Sequence, residues 1–211
     1  MNLNIVLASA SPRRREILER VLGRRVQVVV PKVVEEVNEK LSPIEKAKKL
    51  ALKKAEYAAN KVKSGVIVAG DTIVVVEGEV LGKPKDEIEA IEMLTKLSGK
   101  EHTVITGIAV INADTGEKLV DAVETRVYMR KLTRKEIEMY VKSREPFGKA
   151  GGYAIQGLGA LLIDKIDGCF FNVVGLPISK LYEMLKQVGV NLLEAALRGR
   201  RGEQASQLQN S

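Results

Sequence analysis

Four short segments carry residue types suited to handling phosphates. The first is Ser9-Ala-Ser-Pro-Arg13-Arg14. Ser11 is placed to cap a helix that starts at Pro12. A helix N-terminus offers unpaired N–H groups to an anion, the Ser9 and Ser11 hydroxyls add donors, and Arg13 and Arg14 add planar cationic forks. A plain capped helix with surface arginines reads the same way. The second segment is Gly70-Asp71-Thr72. An acid inside an apolar strand carries a desolvation cost, so Asp71 either meets a metal, acts as a base or caps a turn. The third, Gly82-Lys83-Pro84, sets a lysine in a constrained loop that lacks the spacing of a P-loop. In the fourth, Gly-Gly-Tyr-Ala-Ile-Gln156-Gly, glycines permit close backbone approach to a ligand. Lys53 and Lys54 on a basic helix, and the adjacent Glu35 and Glu36, complete the set. Together these are the parts needed to hydrolyse a phosphoanhydride: cations and a divalent metal neutralise the phosphates, and a carboxylate activates water.

Other chemistries are poorly supplied. The chain of 211 residues has one histidine, His102, and one cysteine, Cys169. That excludes an intramolecular disulfide framework and a structural zinc site of His/Cys type. His102, near a helix end, reads as structural, and Cys169 reads as core. Apolar residues make up 45% of the chain, so wholesale disorder is excluded. Aromatics are only 4% and tryptophan is absent, which leaves few platforms for stacking nucleic-acid bases. The net charge of +7 is concentrated in residues 1–25, 45–63 and the tail 198–211, a pattern suited to polyanions or to solvated helix faces. No apolar run is long enough to span a bilayer, and the N-terminus lacks a signal-peptide pattern, so a cytoplasmic protein is expected.

The elements that must position these segments follow from patterning. NIVLAS reads as a strand leading into the helix from Pro12, which Gly23 ends. Residues 26–31 are extended. Ser42-Pro-Ile-Glu45 matches a capping box, and Ile44, Ala47, Ala51, Ala55, Ala58 and Val62 mark the inner face of the helix that follows. Residues 66–76 give a strand pattern interrupted at Gly70-Asp71. A helix begins at Asp86 with Ile88, Ile91, Leu94 and Leu97 inward. Residues 103–112 and 117–132 flank a hairpin turn, and Thr133-x-x-Glu136 caps another helix. Residues 146–159 are glycine-rich and irregular. A second hairpin is expected around Asp167-Gly168, with CFFNVV as its return strand. A helix follows from Pro177. Helices alternating with strands and hairpins argue for a mixed sheet in one α/β domain.

With these blocks in order, LASASPRR (7–14), AGDTIV (69–74), LGKP (81–84), KLSGKEHTVITG (96–107), KAGGYAIQG (149–157) and NVVGLP (172–177), the sequence resembles the Maf family of nucleoside triphosphate pyrophosphatases. The resemblance spans residues 1–197 as a single two-lobed domain and leaves 198–211 as a basic polar tail, expected to fray. It implies an elongated mixed β-sheet flanked by helices with a central cleft, as in inosine triphosphate pyrophosphatases. It implies cleavage between the α and β phosphates, a divalent cation (Mg or Mn), a homodimer, and a link to septum inhibition and cell division arrest. By position, Asp71 resembles the general base and metal ligand, and Glu36 a second acid at the metal. Ser9, Arg14, Lys54 and Lys83 would hold phosphates. Arg13, Thr72 and Gln156 resemble the branch acting on dTTP and UTP, and a glutamine presents both donor and acceptor to a uracil-type edge. The other readings are a non-enzymatic nucleic-acid-binding or septum-regulating protein, and a purine-type house-cleaning pyrophosphatase.

Overall fold

The computed structural model describes residues 4–34 and 41–198. Its centre is a seven-stranded mixed sheet in the order β2-β1-β3-β5-β6-β7, with β4 paired to β3. β1 (Ile5–Ala8) runs parallel to both β2 (Gln27–Val29) and β3 (Val66–Val76). β3 then pairs antiparallel with β4 (Glu79–Leu81) and β5 (Glu101–Asn112). β6 (Lys118–Met129) and β7 (Ile163–Asp167) complete the antiparallel half.

α1 (Pro12–Leu22) starts at the Ser11 cap and stops at Gly23, whose left-handed φ of 61° suits glycine. It buries Ile17, Leu18 and Leu22 with α6 (Ile178–Gln187) on one face of the sheet. α2 (Pro43–Ala59) begins with the expected capping box between Ser42 and Glu45 and lies on the opposite face. Its inner stripe is Ala47, Leu50, Ala51, Ala55 and Ala58, while Ile44 is exposed at the mouth of the helix. Small side chains let α2 settle close to the sheet, and Gly107 of β5 makes that possible: a Cβ there would overlap the Ala47 carbonyl. α1 and α2 cover opposite faces of the parallel strands, and a crevice opens past the carboxyl end of β1 and beside the middle of β3, at Asp71 and Thr72. Beyond it, α3 (Glu87–Leu97) and α4 (Arg134–Lys142) cover the far half of β3, β5 and β6 in a separate apolar cluster.

Three sequence expectations need correction. The 66–76 segment is one continuous strand, with Gly70, Asp71 and Thr72 facing Ile108, Gly107 and Thr106 of β5. The ladder is made by backbone groups, so a break in the apolar pattern does not break the strand. The inward face of α3 is Ala90, Met93, Leu94 and Leu97, while Ile88 is 69% exposed. Finally, 163–174 is not a hairpin. β7 pairs with β6, and Phe170–Val174 forms a short helix, α5, ended by Gly175 with φ 113°. The buried Asn172 explains the difference: its Nδ2 donates to the Val104 carbonyl and the Thr125 hydroxyl, each at 3.0 Å, which ties the turn onto β5 and β6.

Candidate active site

The crevice is a cavity of about 530 Å³. From the β1–α1 turn it receives Ser9, Ser11, Arg13 and Arg14, from α2 Lys54, from β3 Asp71 and Thr72, and from the β4–α3 loop Lys83. Residues more than 70 positions apart in sequence thus share one wall. Alternation along β3 sends Asp71 to the α2 face, with Ile67 and Ala69, and Gly70 and Thr72 to the α1 face.

On the α2 face, Lys54 Nζ donates to Asp71 Oδ1 at 2.6 Å, with side-chain exposures of 12% and 10%. A buried ion pair is a costly way to stabilise a fold, so its place in a cavity wall points to use. On the α1 face, Arg14 crosses the sheet over Gly70, where a Cβ would stand 3.2 Å from Nε. Its Nε donates to the Gly175 carbonyl at 2.6 Å, Nη1 to Ser9 Oγ at 3.3 Å and Nη2 to Thr72 Oγ1 at 2.8 Å. Thr106 Oγ1 lies 2.9 Å from Thr72 Oγ1 and donates to the Asn172 carbonyl at 2.9 Å. A guanidinium only donates and a carbonyl only accepts, so the direction of the chain is fixed: Arg14 to Thr72 to Thr106 to Asn172. Arg14 therefore braces the site as well as lining it. Ser9 Oγ also accepts from the Ser11 amide at 3.1 Å, which leaves the hydroxyl proton for a ligand.

Several lining residues were not picked out from sequence. Lys149 stands half-buried in the wall, and its Nζ donates to the Glu145 carbonyl. Burial lowers the Lys149 pKa, and the nearby Arg13 lowers it further. The Arg13 pKa is lowered by burial too, against the pull of Tyr140 and Glu145. The signal for Lys149 was its place just before a glycine pair. Tyr153 is buried in the same wall, and its hydroxyl lies 2.7 Å from His102 Nε2, with the rings edge to face. His102 sits near the start of β5, not at a helix end, and burial pushes its pKa down to about 4. Cys169 is half-buried at the α5 cap.

Two expected residues are not in this wall. Gln156 follows the lining residue Ile155 and stands just beyond the cavity, half-buried. Glu36 lies outside the described residues. Asp71 is the single carboxylate among the described lining residues, which also include Arg13, Arg14, Lys54, Lys83 and Lys149. The described residues contain no cluster of three His, Cys, Asp or Glu side chains able to cage a metal. A Mg-type ion is commonly held by one or two carboxylates together with substrate phosphates. Asp71 fits an ion of that kind that arrives with a polyphosphate. Among the described residues, no helix is long and apolar enough to cross a membrane.

The family model described as Maf-like protein matches residues 4–188. The chain belongs to the Maf-like family. Similar proteins include one named dTTP/UTP pyrophosphatase from Carboxydothermus hydrogenoformans, 50% identical, covering 89% of this chain and all of that one. Another of that name, from Desulforamulus reducens, is 48% identical over 90% of this chain and 98% of its own. Among solved structures, the Staphylococcus aureus Ham1 protein is 21% identical with a TM-score of 0.45, covering 76% of this chain and 79% of that one.

Proposed function

We propose that this Maf-like protein hydrolyses dTTP and UTP, and modified pyrimidine relatives, to nucleoside monophosphate and pyrophosphate. The observation that carries the reading is the cavity itself: one carboxylate, paired with a buried lysine, shares its lining with two arginines and two further lysines. A triphosphate matches that charge, and a lone acid opposite it matches a water-activating base. The names of the relatives supply the nucleotide.

In this reading, Lys54 fixes Asp71 by its Oδ1 and leaves Oδ2 to orient a water. The water oxygen bonds to the α-phosphorus while the bond to the bridging oxygen breaks. The water proton passes to Asp71, and pyrophosphate leaves. Arg13, Lys83, Lys149 and the Ser9 hydroxyl hold phosphate oxygens, and Arg14 keeps Ser9 and Thr72 in place. A divalent cation, Mg or Mn, held by Asp71 and Glu36, would neutralise phosphate charge when bound. Gln156 would read the base edge. A cytoplasmic homodimer completes the proposal, checked by light scattering and cell fractionation.

The test is a panel of canonical and modified nucleotides with Mg or Mn, quantifying monophosphate and pyrophosphate. Turnover of dTTP and UTP with release of pyrophosphate is expected. Preference for inosine or xanthosine triphosphate points to the purine-type enzyme instead. Release of inorganic phosphate, or no turnover, overturns the reading.

A further inference from the structure

Tyr140 and Glu145 take no part in the chemistry above, yet they are tied into the site from beneath. Glu145 Oε1 accepts from the Tyr140 hydroxyl at 2.9 Å and from the Gly159 amide at 2.8 Å. Its Oε2 accepts from the Leu158 amide at 3.1 Å. The Tyr140 hydroxyl in turn accepts from the Ala154 amide at 3.1 Å. One carboxylate and one phenol therefore fasten both ends of the segment 154–159. The ends also touch each other, since a Cβ on Gly159 would overlap the Ala154 carbonyl. Gly157, with φ 65°, keeps the space that a Cβ would take 2.6 Å from Glu145 Oε2. Among the residues held inside this closed loop are Ile155, which lines the cavity, and Gln156.

Such fastening is more than a surface turn needs. Tyr140 and Ala154 are buried, so their polar groups depend on these bonds. Burial works against ionisation of Glu145, but the bonds from Gly159, Tyr140 and Leu158 outweigh it and hold its carboxyl below the usual range. A glutamine amide offers a donor and an acceptor side by side, and turning it over exchanges them. A loose loop would let the Gln156 amide approach a pyrimidine from many positions and in either orientation, whereas a loop fastened at both ends holds its backbone in one place, so that only an edge placed to match it is met well.

We propose that Tyr140 and Glu145 are positioning residues for base selection, which clamp the 154–159 loop so that Gln156 meets a uracil-type edge and refuses a cytosine-type edge. The proposal rests on the reading of Gln156 as the base-contacting residue.

Tyr140→Phe and Glu145→Gln each remove part of the clamp while keeping the shape of the side chain. Steady-state kinetics with UTP and CTP is the measurement, with amide exchange at Leu158 and Gly159 and the thermal midpoint alongside. The ratio of kcat/KM for UTP over CTP is expected to fall about tenfold in both variants. The loss should lie mainly in the UTP KM, with faster exchange at the two amides. General loosening of the fold would lower turnover of both nucleotides together and leave the ratio in place. A ratio within about twofold of the parent in both variants, while Gln156→Glu lowers it, overturns the clamp alone. A ratio that Gln156→Glu also leaves unchanged overturns the reading of Gln156 and the clamp with it.

Discussion

Lys54 Nζ lies 2.6 Å from Asp71 Oδ1, across the contact between α2 and β3. The pair exists because Gly107, the β5 neighbour of Asp71, lets α2 come down onto the sheet. A helical lysine and a strand acid 17 positions apart are thereby made one unit. Their role as a base and its holder can be tested directly.

Asp71→Asn keeps the shape of the side chain and removes its basicity. We expect kcat to fall by about 10²–10⁴-fold, with pyrophosphate release lost in proportion. Binding of an α,β-methylene analogue of UTP, measured by calorimetry, should persist. Parent-like turnover in this variant removes Asp71 from the reaction.

Arg14→Lys retains the charge but not the fork. A single ammonium cannot reach the Gly175 carbonyl, Ser9 and Thr72 together. kcat/KM for UTP should drop by roughly 10- to 100-fold. The double variant with Thr72→Val should show less than the product of the single losses, because both cut the same chain. Simple multiplication of the two effects would mean that Arg14 acts only as a charge.

Gly107→Ala places a methyl group against the Ala47 carbonyl of α2. Overpacking at such a contact costs about 3 kcal/mol, read from urea unfolding. The displaced helix should also carry Lys54 away from Asp71 and lower kcat. A stable, fully active variant would show that the approach of α2 is not what builds the pair.

His102 gives a pH signature. Its pKa is near 6.5 in an unfolded chain and about 4 in the fold, where burial disfavours the charged form. Between these values the unfolded state binds the extra proton, so stability falls as the pH drops from 6.5 towards 4. The change amounts to about 3 kcal/mol. His102→Gln, which can still meet the Tyr153 hydroxyl, should show a shallower loss of thermal midpoint over that window. Parallel curves for the two proteins would assign the acid sensitivity to carboxylates instead.

Much of this protein can be read along the chain. The caps at Ser11, Ser42, Asp86 and Thr133, and the alanine stripe of α2, are local patterns with local causes, and the structure keeps them. The segments 9–14, 69–74 and 81–84 hold residue types suited to phosphates, and the family match over residues 4–188 includes all three. Spacing alone, however, could not say that Lys54 faces Asp71 or that Arg14 is bonded on three sides. Nor could it show that Glu145 holds a loop that begins nine residues later. Those contacts depend on strand order, on which face each helix covers, and on how closely a glycine lets backbones approach. Local pattern also misled at Asp71 and at 170–174. An isolated run shows its side chains but not its pairing, and only the neighbouring β5 and the reach of Asn172 fix one as a strand and the other as a helix.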